Sequence, residues 1–263
     1  MITAIRSFGL LAALMLSTLS AHAESNTLMQ HLQHMRLASV GVMTDFFMYT
    51  GLEGDRKYAR RMDSDMESFE VAIEKAREQS EGSAHGAEVE KIRQRWLSFA
   101  RSLQANRDAV KDLGYADEQS VERLNRLNED LVNQIGAVYQ KIAGNTPADP
   151  MIEKTREMAL LLQEMTTHYA ASSSVTMDEE FLSQYRNSMQ ELTSAFEFRL
   201  NDLKSAANQR STYVLMDNIN NKWRFLRNSI TRQHEMDVPF LVISYNDRII
   251  RHLEELEGRI HSS

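Results

Sequence analysis

Two arginines inside otherwise apolar helical segments are the residues best suited to hold a ligand. Arg36 and Arg156 each have apolar residues one helical turn away on both sides. A guanidinium at a helix–helix contact offers a fixed fork of donors to an anion, and an acidic chain needs such a local positive group to bind one. Either arginine could instead pair with a carboxylate such as Glu153 or Glu157. We predict a small anionic ligand near these helices, with contacts from Arg156, Tyr169, Thr166, Arg36 and Tyr49.

Metal or haem chemistry is the second kind that the residue types allow. His31 and His34 lie one turn apart and could place two imidazoles on one side of a helix as metal ligands, although they could equally be exposed histidines. The chain has 15 methionines, which could ligate copper or haem but also suit an irregular helical core. We therefore predict no cofactor and keep a haem or copper carrier as an alternative.

Catalytic spacing is missing from the sequence. None of the eight histidines has a glutamate three residues before it, as carboxylate-bridged di-iron bundles require. The sequence contains no His-Glu-x-x-His, Gly-x-Ser-x-Gly or phosphate-binding glycine loop, and it has no cysteine. These observations predict that the protein is not an enzyme.

The elements that position these residues are amphipathic helices. Apolar residues recur at steps of three and four throughout the chain, which has only three prolines and ten glycines. Breakers fall at 51–54, 82–86 and 114–117, with Asp117 as a plausible N-cap. Four helices with short connections predict an up-down four-helix bundle.

The sequence also contains an internal duplication. At an offset of 127 residues, Trp96 falls on Trp223 and Phe69 on Phe196, and upstream the offset becomes 122. We predict an all-α fold of two tandem, internally duplicated up-down bundles, each with its tryptophan in its own core. The predicted division is a signal peptide at 1–23, copy one at 24–144 and copy two at 150–263.

Export is indicated by the first 23 residues. Arg6 precedes a mostly apolar stretch of about a dozen residues, and Ala21 to Ala23 fits a small-x-small cleavage site. We predict cleavage after Ala23 and a soluble periplasmic protein. The formal net charge of −7 argues against nucleic acid. The basic group at 56–61, followed by Asp63 and Asp65, is interpreted as a solvated helix face.

Two stretches resemble bacterial four-helix-bundle sensor domains. The run from Phe46 to Tyr58, in which an aromatic helix end meets a Thr-Gly turn and a tyrosine opens the next helix, resembles chemoreceptor sensor domains. The stretch from Met158 to Tyr169 is similar to the first helix of nitrate-sensor and type IV pilus chemotaxis-transducer sensor domains. The resemblance implies a ligand-sensing or partner-binding bundle.

These observations predict a periplasmic sensory or ligand-binding protein that reports to a membrane receptor or another envelope protein. The alternative is a structural or adaptor protein of the envelope that binds other proteins through its bundle surfaces. The sequence leaves open the identity of any ligand, the arrangement of the two bundles, and whether the protein forms a homodimer.

Overall fold

The computed structural model contains eight α-helices and no strand in the part of the chain that it describes. The backbone is described for residues 2–146, 149–174, 179–206, 210–231 and 238–261; within these ranges, side chains are described from residue 24 onward except at 181, 182, 184–186, 206, 210, 211, 231 and 261. The predicted all-α fold is confirmed. The helices are α1 (Ile2–Gly51), α2 (Arg56–Ser80), α3 (Gly86–Leu113), α4 (Glu118–Asn145), α5 (Pro150–Ser172), α6 (Glu179–Ala206), α7 (Arg210–Thr231) and α8 (Pro239–His261).

Local sequence signals explain several of the helix ends. The predicted N-cap is confirmed, because the Asp117 side chain accepts a hydrogen bond from the Ser120 N–H. Asp149 caps α5 in the same way, and Pro150 occupies its first turn, where no N–H is needed. Gly114 ends α3 with a φ of 85°, a left-handed conformation that favours glycine.

Helices α1–α4 form the first repeat and α5–α8 form the second. In each repeat the consecutive helices pack side by side and the last returns to the first, which closes a four-helix bundle. Trp96 is buried in the first core and stacks on Phe69 with ring centroids 3.9 Å apart. Trp223 is buried in the second core, 4.3 Å from Phe196. The equivalent tryptophans therefore anchor equivalent cores, as predicted.

The two repeats lie side by side through the contact of α1 with α5, which we call the α1–α5 seam. Contacts across it are centred on an offset of 122 or 123 positions from Gln33 with Arg156 to Gly51 with Ser174. Two further hydrogen bonds across it, Gln163 with Thr44 and Thr167 with Val40, join residues one helical turn to either side of that offset. A constant offset means that the two helices run parallel and in register. Because the duplication has nearly the same offset there, the repeats meet through equivalent faces, as the subunits of a symmetric dimer do.

The predicted signal peptide coincides with the first part of α1. Helix α1 begins at Ile2, but the side chains of residues 1–23 lie outside the described part of the structure. Cleavage after Ala23 therefore stays a prediction. Among the described residues, no helix is both long and apolar enough to cross a membrane.

Candidate functional site

The α1–α5 seam carries polar side chains that hydrogen-bond to one another between the two apolar cores. Thr44 Oγ1 lies 2.7 Å from Thr167 Oγ1, and Gln163 Nε2 donates to Thr44 Oγ1 at 3.2 Å. Asn246 on α8 donates from Nδ2 to Gln163 Oε1 at 2.9 Å. Buried polar groups are costly unless they are hydrogen-bonded, so these pairs favour one register of the two repeats. Polar residues at these positions in the sequence gave no indication of which helix they face.

A groove of about 600 Å³ lies over one side of the seam, between α2 of the first repeat and α8 of the second. Its volume falls in the range of small-molecule sites, roughly 300–1,000 Å³. We call it the α2–α8 groove. Both repeats contribute to its surface, with Gly41 and Gln163 on the seam, Arg61 and Asp65 on α2, and Asp247 and Glu254 on α8.

Arg61 links the two repeats at one end of the groove. Its Nε donates to Asp45 on α1 at 2.8 Å, and its Nη1 donates to Asp247 on α8 at 2.9 Å. Asp45 is only 1% exposed, and burial raises the pKa of its carboxyl to about 6 although Arg61 acts to lower it. The positive charge of Arg61 is therefore shared between two carboxylates of different repeats.

Asp65 lies in the groove one turn after Arg61 and receives no hydrogen bond from any described residue. Its carboxyl packs against the α1 backbone at Gly41, where a Cβ would collide with Asp65 Oδ2. Burial, with smaller contributions from Asp45 and Asp247, raises its pKa to about 7 against the opposing effect of Arg61. Near neutral pH this carboxyl can exchange a proton or accept a positively charged group.

The sequence interpretation of residues 56–61 and Asp65 as a solvated helix face is therefore wrong for Arg61 and Asp65. Both side chains are partly buried at the contact of the two repeats. One signal could have found them: Asp45 is a lone acidic residue in a long buried apolar run of α1, and a buried carboxylate needs a cation from elsewhere in the fold.

Arg156, the first predicted ligand contact, is 4% exposed and already hydrogen-bonded within the chain. Its Nη2 lies 2.5 Å from Glu257 Oε1 on α8, and its Nη1 donates to Tyr139 Oη on α4 at 3.0 Å. Tyr139 in turn donates to Glu153 Oε1 at 2.5 Å. The guanidinium thus joins α5 to helices of both repeats, and its role as a ligand contact stays a prediction.

Arg36 is close to Arg156 but has fewer partners. Gln33 contacts both, since its Oε1 accepts a long 3.4 Å bond from Arg36 Nη1 and its Nε2 donates to the Arg156 carbonyl at 2.9 Å. The Arg36 Nε is buried with no hydrogen-bond partner among the described residues, and the guanidinium lies against Gly136 of α4. Burial lowers its pKa, and Glu164 on α5 is the carboxylate that counters this most. Arg36 therefore makes fewer hydrogen bonds within the protein than Arg156 does.

The three predicted hydroxyl contacts lie elsewhere, and none of them lines the α2–α8 groove. Tyr169 is buried in the second core, and its Oη accepts a hydrogen bond from the Val238 N–H at 3.0 Å. Thr166 is buried and donates to the Leu162 carbonyl one turn before it at 2.9 Å. Tyr49 is buried near the turn that follows α1. The structure does not bring these hydroxyls together with the two arginines.

The two histidines that are the weak metal candidates lie one turn apart on α1. His34 lines the groove with part of its side chain open to solvent, and His31 is partly buried. Neighbouring side chains exclude some of the water around both imidazoles, which lowers their pKa, and Glu257 opposes this effect at His34. Within the described ranges, no group of three or more histidine, aspartate or glutamate side chains is arranged to hold a metal ion.

Comparison with known proteins adds no assignment. The chain matches no protein-family model, no curated protein and no solved structure. Function must therefore be argued from the geometry of the seam and its groove.

Proposed function

We propose that this protein is a periplasmic sensory or ligand-binding protein that holds a small molecule in the α2–α8 groove and reports to a membrane partner. One observation carries the proposal: the groove is built from both repeats and lies directly on their contact. A ligand there touches α2 of one repeat and α8 of the other, so its binding free energy depends on how the repeats are packed.

The means of reporting is a change in the packing of the two repeats. A ligand shifts a conformational equilibrium only by its difference in affinity for the two states. Arg61 already bridges Asp45 of the first repeat and Asp247 of the second at the edge of the groove. A ligand that binds one of these carboxylates, either in place of Arg61 or together with it, would change the position of α2 relative to α8. Both helices lie on the surface that a partner would contact.

A thermal-shift screen of the chain from Glu24 onward tests this function. The compounds are aliphatic amines, amino acids, organic acids and inorganic anions. A ligand at 100 times its dissociation constant adds about 2.7 kcal/mol to the free energy of unfolding, which raises Tm by roughly 5–10 °C for a chain of this size. Failure of every class to raise Tm would contradict the proposal.

Variants separate the groove from the predicted anion site. An anion bound at the arginines should lose its effect in Arg36→Met and keep it in Asp65→Asn, because these residues lie on different parts of the surface. The reverse pattern assigns the ligand to the groove. Arg36 is the more informative arginine, since Arg156 is held by Glu257 and Tyr139.

An envelope adaptor is the second candidate, and a different surface favours it. Large apolar side chains are exposed at the end of the molecule where α1 and α3 end and α2, α4 and α8 begin. The Lys57 ammonium lies 3.8 Å from the Phe240 ring centroid, which brings α2 and α8 together there. These exposed side chains are Leu52, Leu113, Tyr115, Phe240 and Leu241.

If the protein is an adaptor, it should capture a specific protein from envelope extracts, and replacing Leu113 and Tyr115 by serine should abolish that capture. No small molecule should then raise its Tm.

A haem or copper carrier makes a separate prediction that an absorbance measurement checks at once. Freshly purified protein would then show a Soret band or bound copper, and a colourless, copper-free preparation contradicts it.

A further inference from the structure

Building on the proposed ligand-binding function, we propose that the ligand of the α2–α8 groove is an aliphatic amine cation, with an ammonium group held by the carboxylate of Asp65. Such a cation differs from the anionic ligand that the arginines suggested from sequence alone.

The charges along the groove favour a cation. Four carboxylates and two arginines line it, and the buried Asp45 lies directly behind Arg61. Arg61 is fully engaged, because its nitrogens donate to Asp45 and Asp247. The lining charges that remain are the carboxylates of Asp65, Glu67 and Glu254 and the exposed guanidinium of Arg251. An entering anion would therefore meet a net negative surface, whereas an entering ammonium would meet an unpaired acceptor.

Asp65 is that acceptor. It is held in the groove by the close approach of α2 to Gly41, and no described residue donates a hydrogen bond to it. An unpaired carboxylate in a partly buried position has lost water without gaining a partner, and a three-donor ammonium supplies the missing bonds.

A second unpaired acceptor lies in the same part of the seam. Asn246 is 1% exposed and donates from Nδ2 to Gln163, whose side chain lines the groove, while the buried Asn246 Oδ1 has no hydrogen-bond partner among the described residues. Both unmet groups are acceptors. Asn246 is not one of the residues that line the groove, so Asp65 is the acceptor that a ligand there can reach, and a donor-rich ligand supplies the hydrogen bonds that Asp65 lacks.

The rest of the surface indicates an organic amine instead of a metal ion. Leu37, Ala38, Val71 and Ile250 contribute apolar surface beside the carboxylates, which suits an alkyl chain. A hard divalent cation needs several oxygen ligands at once, and the described residues provide no group of three acids or histidines that could hold one.

The amine should bind more tightly as pH rises through 7. Asp65 must be ionised to hold an ammonium, and burial together with Asp45 and Asp247 raises its pKa to about 7. An aliphatic amine stays protonated up to about pH 10, as lysine does. The charged or titratable groups that face Asp65 in the groove are Asp45 and His34 from α1, Arg61 and Glu67 from α2, and Asp247, Arg251 and Glu254 from α8; α5 contributes the uncharged Gln163.

Calorimetric titration of the chain from Glu24 with 1,4-diaminobutane tests the inference. The uncharged 1,4-butanediol and the dicarboxylate succinate have the same number of backbone carbons and serve as ligand controls. We expect the diamine alone to bind, and its Kd to be about tenfold lower at pH 8 than at pH 6, because a carboxyl with a pKa of about 7 is about one-tenth ionised at pH 6 and about nine-tenths ionised at pH 8.

Matched variants assign the site. Asp65→Asn should weaken diamine binding by about tenfold or more, since a charge-assisted hydrogen bond is lost, and it should not lower Tm, since an unpaired buried charge is removed. Glu70→Gln removes an exposed carboxylate of the same helix outside the groove and should change nothing. Gly41→Ala should weaken binding at nearly unchanged Tm, because its Cβ displaces the Asp65 carboxyl.

The two proposals fail in different ways. Binding of succinate or butanediol instead of the diamine, or diamine binding that survives Asp65→Asn with its pH dependence unchanged, overturns the amine inference and leaves a ligand-binding protein. Absence of binding for every compound class of the thermal-shift screen overturns the ligand-binding function itself.

Discussion

Replacing Arg156 by methionine should destabilise the protein strongly, because this guanidinium is the buried centre of a network. The change removes the hydrogen bonds to Glu257 at 2.5 and 3.0 Å and to Tyr139 at 3.0 Å. Breaking a buried ion pair by removing one partner costs about 3–5 kcal/mol, because it leaves a buried charge alone. The Glu257 side chain keeps 15% of its exposure, so we expect a loss of about 2–4 kcal/mol in the free energy of unfolding.

Urea unfolding followed by tryptophan fluorescence measures this loss. Glu257→Gln in the Arg156→Met background should recover a large part of it, since the uncompensated charge is then gone. Arg199→Met is the control: Arg199 pairs with the exposed Glu157 at 2.7 Å, and such a surface pair contributes only about 0–1 kcal/mol. A loss below about 1 kcal/mol for Arg156→Met, equal to that of the control, would refute the network.

Three further changes have outcomes fixed by the structure. The pKa values of Asp45 and Asp65 are raised to about 6 and about 7, so these two carboxyls bind more protons in the folded state than in the unfolded state above about pH 4 and act to lower the urea midpoint as pH rises from 4 to 7. The lowered pKa values of His31, His34 and His252 act in the opposite direction, so Asp65→Asn is the test: its midpoint should fall less over this range than that of the unchanged protein, and an identical pH profile would contradict this. Arg36→Met should lower Tm less than Arg156→Met does, because the change removes a buried Nε without a partner but also removes the positive charge that opposes the rise in the pKa of the buried Glu164; an equal loss would show a missed contact of Arg36. Phe69→Ala should cost about 3–5 kcal/mol in urea unfolding, because it removes a fully buried ring and leaves a cavity beside Trp96, whereas the exposed Phe198→Ala should cost less than about 0.5 kcal/mol. Equal costs would disprove the core assignment.

The fold could be predicted from the sequence because its signals are local or repeated. The 3.6-residue period and the scarcity of breakers indicated helices, and Asp117 and Gly114 marked a boundary that the structure contains. The pairing of Trp96 with Trp223 indicated two equivalent cores. Each of these signals depends on a residue's neighbours along the chain or on its counterpart in the other repeat.

The site could not be predicted in the same way, because its contacts are non-local. The shortest ion pair of Arg156 is with Glu257, 101 residues away, at 2.5 Å. Of the near neighbours that the sequence suggests, Glu153 lies at 4.0 Å and Glu157 pairs with Arg199 instead. Helical periodicity shows which face of a helix is apolar but not which helix covers it. For that reason the sequence places Arg61 and Asp65, at the polar edge of the α2 face, in solvent, whereas in the structure α8 of the second repeat lies beside them.

The α2–α8 groove exists only if the two repeats meet at the parallel, in-register α1–α5 seam. The chain has no cysteine, so a single engineered pair reports this contact. Thr44→Cys with Thr167→Cys should close an intramolecular disulfide under mild oxidation, since the two Oγ1 atoms lie 2.7 Å apart. Thr44→Cys with Thr166→Cys should keep both thiols free, because Thr166 lies one position along α5 from Thr167, about 100° around the helix, and therefore does not face Thr44. Free thiols in the first variant, or equal cross-linking in both, would contradict the arrangement.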